Sequence, residues 1–548
     1  MKDSGDLARP EVPVMPETAG SLPQQQIERE IKLDVGDDFV LPGLVGTDGV
    51  ALVDEPVTHE LAATYFDTLD LRLLSRSVTL RRRTGGTDAG WHLKLPEAPG
   101  VRTELSAPIG PGEAADPPEQ LLQLVRGLVR RRALRPVLLL QTRRQVRVLR
   151  DAHGRPLAEV ADDEVSAHPL QTGSQRCWRE VEVELLDEAS PDLLEGVAAR
   201  LLAAGATRAA PGSKASRALG DALPVPPGGP SGARAEDGPR AGDVVRGHLA
   251  DLLEELMRLD PRVRLDAPDA VHRMRVATRR LRSVLASFAD LLTPEVVPRL
   301  RAELAWLATM LGAARDAEVL RERLVALVQA EPPELVRGPV RERIEALLGE
   351  RYRLAHAEVV STLDGPRYLD LLDALAWLCR QPVEGPPWTP RAVRPAPGEL
   401  ARAMRSTWRR VRRLAEAAER AGQDERAGGD EAGGGDTAQV EAALHEVRKA
   451  AKRARYAAES LVEVFGAPSR RFAARMTRIQ DTLGANQDSV VTRAVLAELA
   501  ELAERAGEST FTYGRLHALE QRRGAHTAAA FTRQLARASR ASATDWMR

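Results

Sequence analysis

The sequence has few of the residues that would place a protein outside a reducing compartment or in a membrane. Its 548 residues include two cysteines, Cys177 and Cys379, too few for a disulfide framework. No apolar run approaches the roughly 20 residues of a membrane helix, and the polar, proline-rich segment 1–26 lacks the apolar core of a signal peptide. We therefore expect a cytoplasmic protein that does not bind a membrane.

The sequence also has few aromatic residues and a net charge close to zero. Only five tyrosines and seven phenylalanines are present, few of them near the basic helices described below, so platforms for stacking nucleobases are scarce. The net charge is −1, from 78 basic and 79 acidic residues. This balance excludes a uniformly basic nucleic-acid-binding protein but not a local basic patch. Nucleic acid is therefore not the expected partner.

The length predicts two or three domains, and a change of periodicity marks their boundary. Apolar and polar residues first alternate, as in β-strands, and later follow a helical spacing. Three segments without periodicity are predicted linkers: 223–242, 381–397 and 422–436. The predicted order is a disordered N-terminus (1–26), a β domain (27–219), a linker (220–242) and a helical domain (243–540) with two repeats, about 243–380 and 398–540.

Charged residues lie on one face of each predicted strand, and their sign differs between strands. Because side chains alternate between the faces of a strand, Glu28, Glu30 and Lys32 share a face, as do Arg81 and Arg83. Taken alone, the first motif is more typical of a solvated sheet edge. The set across several strands instead favours a barrel with a basic wall for phosphate oxygens and an acidic wall for Mg²⁺ or Mn²⁺.

The ordered motifs resemble the CYTH, or triphosphate tunnel metalloenzyme, family over about residues 27–219. The family signature Glu-x-Glu-x-Lys matches Glu28, Glu30 and Lys32. Further matches follow along the chain: Tyr65-Phe66-Asp67-Thr68, Arg81 with Arg83, Lys94, Arg102 with Glu104, Arg143, Glu159 with Asp163, Glu182 with Glu184, and Ser213-Lys214.

The CYTH resemblance implies an eight-stranded antiparallel β tunnel that hydrolyses the terminal phosphoanhydride of a triphosphate with Mg²⁺ or Mn²⁺. It implies catalytic roles for Glu28, Glu30 and Lys32. The residues implied in substrate binding are Lys32, Arg81, Arg83, Lys94, Arg102, Arg143 and Lys214. The residues implied in metal binding are Glu28, Glu30, Glu159, Asp163, Glu182 and Glu184.

The helical part contains an internal repeat. Residues 271–282 (VHRMRVATRRLR) match residues 444–455 (LHEVRKAAKRAR), and a Leu-Gly motif follows each at nearly the same separation. At helical spacing, one stripe of each motif carries a histidine and three bases without an acid, and the apolar stripe is separate. Because like charges at this spacing repel, we expect an external polyanion to compensate them.

This repeat resembles the CHAD family, a conserved-histidine α-helical domain, over about residues 243–540. The resemblance implies two four-helix bundles with a basic channel, associated with polyphosphate. The residues implied in polyphosphate binding are His272, Arg275, Arg279, Arg282, His445, Arg448, Lys452 and Arg455. The predicted fold is thus α+β and multidomain, with an N-terminal antiparallel β tunnel and a C-terminal all-α domain of duplicated four-helix bundles.

Two functions follow from these resemblances. The first is a metal-dependent protein that processes inorganic triphosphate or polyphosphate, in which the helical domain captures long chains. The alternative is a non-catalytic adaptor that binds polyphosphate, for example on cytoplasmic polyphosphate granules. Adenylate cyclase and thiamine triphosphatase activities occur in the wider CYTH group, but no motif in this sequence selects either organic group.

Overall fold

The chain forms two compact units, residues 1–224 and 225–548. The computed structural model describes residues 23–110, 116–186, 189–210, 212–224, 238–427, 435–524 and 544–547. Most of the segment 1–26, predicted to be disordered, lies outside the described residues. Its last part differs from the prediction, because residues 24–26 pair with strand residues 104–106 and belong to the first strand.

The first unit is a closed antiparallel barrel of eight strands. In barrel order the strands are β1, β6, β5, β4, β3, β7, β8 and β9, and pairing of β9 with β1 closes the ring. The short strands β2 and β10 pair with β7 and β1. The strands are β1 (Gln24–Val35), β2 (Leu52–Val53), β3 (Val57–Asp67), β4 (Thr79–Thr84), β5 (Gly90–Ala98), β6 (Val101–Ala107), β7 (Arg135–Arg150), β8 (Pro156–Pro169), β9 (Arg176–Leu185) and β10 (Thr207–Arg208).

The apolar core of this unit lies largely outside the barrel lumen. The helices of the unit are α1 (Glu119–Val129), α2 (Pro191–Ala203) and α3 (Lys214–Leu219). Leu33, Val181 and Val183 are fully buried and pack against Val197 and Leu201 of α2. Since side chains alternate along a strand, burying these odd-numbered residues on the outer face directs their even-numbered neighbours into the lumen.

The second unit is helical in its described part. Its helices are α4 (Ala241–Arg264), α5 (Ala270–Ser287), α6 (Val296–Gln329), α7 (Val340–Asp364), α8 (Pro366–Arg380), α9 (Ala396–Ala427), α10 (Gly435–Glu459), α11 (Val462–Phe465), α12 (Ala467–Arg505) and α13 (Phe511–Gly524). The repeated basic motifs lie on α5 and α10. None of the described helices is long and apolar enough to cross a bilayer.

The two halves of the helical unit share an apolar core. The predicted apolar stripes of α5 and α10 are buried, with Met274 and Val447 each 0 % exposed. A further cluster joins the C-terminal parts of α6 and α12 to α7 and α13, through Leu324, Ile344 and Leu496 among others. Because this cluster draws on both repeats, each half contributes to the stability of the other.

The segment 381–397 is a packed connection, which corrects the prediction of a linker. Trp388 and Ala392 are buried, and Trp388 forms a bridge with Leu292. Proline and glycine exclude a regular helix or strand here, but they do not prevent the remaining side chains from packing. In the first predicted linker, residues 225–237 lie outside the described residues, and α4 already begins at Ala241. In the third, residues 428–434 lie outside them.

The turn after β4 depends on a glycine. Gly85 has φ +80°, and a Cβ there would lie 2.0 Å from the carbonyl oxygen of Glu60. Gly85→Ala should therefore lower the free energy of unfolding by about 2–3 kcal/mol, since it adds a backbone clash to the cost of a left-handed residue. Gly46 has φ +82° with no atom within 4 Å of its Cβ position, so Gly46→Ala measures the left-handed cost alone.

Chemical denaturation of both variants measures the difference. Equal losses of stability in the two variants would show that the clash at Gly85 is relieved by local movement.

Candidate functional site

The barrel lumen encloses a cavity of about 1160 Å³ lined by charged side chains. Seven of the barrel strands and α3 contribute them. The charged residues that line the cavity include Glu28, Glu30, Lys32, Arg81, Arg83, Lys94, Arg102, Glu104, Arg144, Glu159, Glu182, Glu184 and Lys214. At one side of the cavity, Tyr65 and Leu140 belong to an apolar cluster with Ala215 and Ala218 of α3. The site is thus polar and enclosed by the fold.

Acidic side chains form a row across three neighbouring strands. Glu30 of β1 lies opposite Glu184 of β9, which lies opposite Glu159 of β8. Like charges directly opposite each other in a sheet repel. Among the described residues, Glu159 and Glu184 have no ion-pair partner. Burial, and then the neighbouring carboxylates, raise the pKa of Glu184. Within the row, Glu30 is paired with Lys32, and Glu159 and Glu184 are the members that lack a cation.

A second acidic cluster is already paired with basic side chains of the protein. Asp163, Glu180 and Glu182 are close enough together to hold a metal ion. The Nζ of Lys214 lies 2.9, 2.7 and 2.6 Å from them, and Arg144 contacts Asp163 and Glu182 at 2.6 Å each. Although burial opposes ionisation, Lys214 holds the pKa of Glu182 well below its usual range. Cations of the protein itself therefore pair with all three carboxylates.

The first row and Glu28 offer carboxylates to a divalent cation, although the group of acidic residues whose ligand atoms all lie within 4.8 Å of one another in the described part of the chain is Asp163, Glu180 and Glu182. Glu28 lies beside this row and contacts Lys94 at 2.6 Å. Burial raises the pKa of Glu28 to about 8, with further contributions from Glu104 and Glu184. Carboxylate oxygens that gain from added positive charge are suitable ligands for Mg²⁺ or Mn²⁺. Of the predicted ligands, Glu159 and Glu184 have no ion-pair partner among the described residues, whereas Glu28 is paired with Lys94 and Glu30 with Lys32. Asp163 and Glu182 are each paired with both Lys214 and Arg144.

The opposite wall of the lumen has more positive than negative charge. Arg81 donates to the hydroxyl of Tyr65 at 3.4 Å and lies 3.9 Å from Glu104. Burial, together with the nearby cations Arg81 and Arg144, lowers the pKa of Arg83 to about 9. Arg83 also contacts the carboxylate of Asp88. A buried cation that is costly to charge gains from an anion placed beside it. This wall can therefore bind phosphate oxygens.

Two other predicted residues bind carboxylates in the lumen. Lys32 contacts Glu30 at 2.9 Å and also contacts Glu182. Arg102 lies 3.8 Å from Glu30 and donates to the carbonyl of Gly212 at 3.2 Å. Together they connect the acidic row to the rest of the network.

Arg143 does not lie in the lumen, which corrects its predicted role. Its side chain is 52 % exposed and lies 3.8 Å from Glu60 and 3.7 Å from Glu164. Arg144 occupies the lumen instead, directly opposite Asp163 in the β7–β8 ladder. Arg143 and Arg144 are consecutive on β7 and point to opposite faces of the sheet. Either face of β7 could therefore be the basic one, and the sequence pattern does not show which arginine points into the lumen.

His92 was not predicted as a site residue. It is 3 % exposed and lines the cavity beside Lys94. Its Nδ1 lies 2.9 Å from Glu104 and its Nε2 lies 2.9 Å from the carbonyl of Asp88. It therefore positions Glu104 between Arg81 and Lys94. Its place two residues before Lys94 on the same strand face was the signal that could have identified it.

The helical unit brings the two predicted basic stripes together. Burial lowers the pKa of Lys452 to about 8, and Arg448, Arg279 and Arg275 lower it further. Arg275 lies 3.3 Å from Asp316, and Arg455 lies 3.5 Å from Glu459. Arg279, Arg448 and Lys452 have no carboxylate within 4.0 Å among the described residues. The basic cluster of α5 and α10, defined as Arg275, Arg279, Arg448, Lys452 and Arg455, therefore carries uncompensated positive charge.

The two histidines border this cluster, whereas Arg282 does not join it. Burial lowers the pKa of His272, and so does Arg315 of the first Leu-Gly motif. Burial and Lys449 lower the pKa of His445. The cation that affects Arg282 is Arg301 of α6, and not a member of the cluster. The side chains of residues 484–488, in the second Leu-Gly motif, lie outside the described part of the structure.

Comparison with known proteins agrees with this geometry. The CYTH domain family matches residues 26–219, and the CHAD domain family matches residues 247–497. An uncharacterised protein of Mycobacterium tuberculosis is 39% identical over 513 residues, covering 91% of this chain and 93% of its own length. The chain belongs to the proteins that join a CYTH domain to a CHAD domain. The observed barrel and helical units are these two domains, in that order.

Solved structures are similar to the chain over separate parts. PptA from Streptomyces chartreusis is 22% identical, with a TM-score of 0.42, and covers 54% of this chain and 100% of its own. The CHAD domain from Ricinus communis is 26% identical, with a TM-score of 0.40, and covers 56% of this chain and 94% of its own. An adenylyl cyclase homologue from Hippeastrum, described as having a dominant triphosphatase activity, is 19% identical, with a TM-score of 0.22, and covers 36% of this chain and 98% of its own.

The neighbouring arginines of the CYTH domain offer a matched test of the lumen assignment. Arg144→Gln leaves Asp163 and Glu182 with one cation fewer in a buried site, so it should lower the free energy of unfolding by about 3–5 kcal/mol. Arg143→Gln changes an exposed residue and should cost less than about 0.5 kcal/mol. Denaturant titration measures both. A larger loss for Arg143→Gln would place Arg143, and not Arg144, in the lumen.

Proposed function

We propose that the CYTH domain hydrolyses the terminal phosphoanhydride of inorganic triphosphate or polyphosphate with Mg²⁺ or Mn²⁺, and that the CHAD domain binds polyphosphate. The observation that carries the first part is the separation of uncompensated charge within one enclosed cavity. Arg81 and Arg83 lie on the side with excess positive charge, and Glu159 and Glu184, which have no ion-pair partner among the described residues, lie on the side with excess negative charge. A complex of triphosphate with a divalent cation carries both complementary charges.

In this proposal the chain's own side chains position the phosphates. Arg81, Arg83 and Lys94 hold phosphate oxygens through charge-assisted hydrogen bonds and neutralise charge that develops on the leaving phosphate. Tyr65 accepts from Arg81, and His92 orients Glu104, so the basic wall is preorganised. A metal ion held by Glu28, Glu30, Glu159 and Glu184 would screen the phosphate charge and lower the pKa of a water molecule.

The CHAD part of the proposal rests on the cations of α5 and α10. Arg279, Arg448 and Lys452 are half-buried and lack carboxylate partners among the described residues. Ligand-free, these side chains repel one another, as the lowered pKa of Lys452 indicates. A polyanion that contacts several of them removes this repulsion and releases its own counterions. A polymer of phosphate meets this condition better than a single phosphate.

A non-catalytic adaptor is the second candidate function. It is favoured by the contacts of Lys214 with Asp163, Glu180 and Glu182, since this group, which the described part of the chain offers to a metal ion, is already paired with a cation of the protein. Under this alternative, both domains bind phosphate polymers and neither cleaves them.

Phosphate release from tripolyphosphate distinguishes the two candidates. With Mg²⁺ or Mn²⁺ the protein should release orthophosphate, and Glu30→Gln should reduce the rate by at least about 10–100-fold, since removal of even an indirect contact to a metal has that effect. Glu60→Gln, on the outer face of the barrel and well exposed, is the matched control and should leave the rate unchanged. ATP and thiamine triphosphate serve as alternative substrates.

Absence of release from every substrate in the folded wild-type protein would reject the hydrolase and favour the adaptor. Equal rates in the wild-type protein and in folded Glu30→Gln would remove Glu30 from the metal site.

The lowered pKa of Lys452, in the basic cluster of α5 and α10, predicts that polyphosphate binding depends on pH. Lys452 has a pKa of about 8 in the free protein, and a bound polyanion raises it. Affinity should therefore be full below pH 8 and fall as pH rises above 8, by up to about tenfold per pH unit, because binding then requires uptake of a proton. Lys452→Arg keeps its charge and should flatten this fall. Identical pH profiles in the wild-type protein and Lys452→Arg would show that Lys452 does not contact the polymer.

A further inference from the structure

One cation of the CYTH lumen is paired with a carboxylate on an exposed turn. Arg83 of β4 is 7 % exposed and lines the cavity, and its carboxylate partner in the described part of the chain is Asp88. Asp88 lies in the turn between β4 and β5, residues 85–89. Its side chain is 51 % exposed, although the residue lines the same cavity. The pair therefore joins a buried guanidinium to a carboxylate that water can reach.

The other cations of the basic wall are paired with carboxylates on barrel strands. Lys94 contacts Glu28 of β1 at 2.6 Å, and Glu28 is 4 % exposed. Arg81 lies 3.9 Å from Glu104 of β6, whose side chain is 15 % exposed. Both strands have a neighbouring strand on either side, whereas the turn that carries Asp88 has none. Since exposed turns move more readily than paired strands, Asp88 is the counterion of this wall that can leave its cation.

The backbone of Asp88 is held in place while its side chain is not. The Nε2 of His92 lies 2.9 Å from the carbonyl oxygen of Asp88, and because a carbonyl accepts only, His92 is the donor. This hydrogen bond fixes the peptide group and leaves the carboxylate free to rotate between side-chain rotamers. A rotation toward solvent would thus break the ion pair with Arg83 without moving the barrel.

The carboxylate of Asp88 satisfies Arg83 only in part. The buried Nε of Arg83 has no hydrogen-bond partner in the described part of the chain. Burial, with Arg81 and Arg144 nearby, lowers the pKa of Arg83 to about 9, so the guanidinium gains from a stronger anion beside it. A terminal phosphoryl group has three strong acceptor oxygens and more negative charge than one carboxylate. Such a group can therefore compete with Asp88 for Arg83.

We propose that Asp88 is a displaceable counterion of Arg83, which binds the guanidinium in the ligand-free protein and gives way to a phosphoryl group of the substrate. The inference rests on the proposed function, since it concerns how the CYTH lumen binds its phosphates. While the lumen is empty, Asp88 neutralises a buried cation. When substrate binds, the ion pair must first be broken, so Asp88 lowers the affinity for substrate and raises KM.

The test compares Asp88→Asn with the wild-type full chain in the hydrolysis of tripolyphosphate with Mg²⁺. Asparagine keeps the shape of the side chain and removes its charge. The KM should fall by about two- to fivefold, as expected for the loss of an exposed ion pair, while kcat stays within about twofold of the wild-type value. If Asp88 instead positions Arg83 for the substrate, the KM of Asp88→Asn rises, and the proposal is overturned.

Glu60→Gln is the matched control. It removes one exposed negative charge next to the same turn, because the carbonyl oxygen of Glu60 lies beside Gly85, but its side chain is on the outer face of the barrel. Its KM should equal that of the wild-type protein. A decrease of KM in Glu60→Gln as large as in Asp88→Asn would show that both act through net charge, and it would reject displacement at Arg83.

Arg83→Gln supplies a second measurement through a double-mutant cycle. In this background Asp88 has no guanidinium to bind, so adding Asp88→Asn should change KM by less than about 1.5-fold. An equal decrease of KM in the two backgrounds would mean that Asp88 repels the polyanion from a distance, and it would overturn the proposal.

Failure of this inference is distinguishable from failure of the proposed function. If the wild-type protein cleaves tripolyphosphate and Asp88→Asn does not lower the KM, the displaceable counterion alone is rejected. If the wild-type protein binds tripolyphosphate without cleaving it, the hydrolase is rejected, and dissociation constants from titration calorimetry replace KM in the same comparison. If it neither binds nor cleaves tripolyphosphate, both are rejected.

Discussion

Charges enclosed in a closed barrel must neutralise one another, and the CYTH domain is arranged around this constraint. Removing an ion from water is expensive unless an opposite charge and hydrogen bonds replace the solvent. The three contacts of Lys214 with Asp163, Glu180 and Glu182 meet this need at one place in the lumen. Lys214 is also the first residue of α3, so the same ion pairs hold that helix against the barrel.

Neutralisation is incomplete elsewhere in the lumen, and that imbalance is what makes the cavity chemically useful. Glu159 and Glu184 lie in a row of carboxylates, whereas Arg83 lies near Arg81 and Arg144 and has Asp88 as its carboxylate partner. The domain holds these charges in place because its apolar residues pack on the outside of the barrel, with Leu33, Val183 and Val197 fully buried. The apolar packing that stabilises the barrel is therefore separate from the face that a ligand would meet.

In the CHAD domain, apolar packing and charge available to a ligand lie on different faces of the same helices. Met274 and Leu281 of α5 are fully buried, while Arg279, on another face of that helix, lies near the cations Arg275, Arg455 and Arg448. The CYTH lumen has both acids and bases, as cleavage of a metal-bound phosphate chain requires. In the cluster of α5 and α10, Arg279, Arg448 and Lys452 have no carboxylate within 4.0 Å among the described residues, which suits capture of a polyanion. The chemical difference between the domains thus follows from how many carboxylates lie among the bases.

The sequence by itself determined the order of the two domains, the faces of β1, β4 and β9, and the basic motifs of α5 and α10, because alternation and helical spacing are local properties. Only the tertiary structure selected Arg144 over Arg143, since the choice depends on Asp163 of the neighbouring strand. It also placed Lys214 beside acidic residues of the lumen. It showed that the cation affecting Arg282 is Arg301, and not a member of the cluster of α5 and α10. These outcomes depend on contacts between residues far apart in the chain, which no local pattern records.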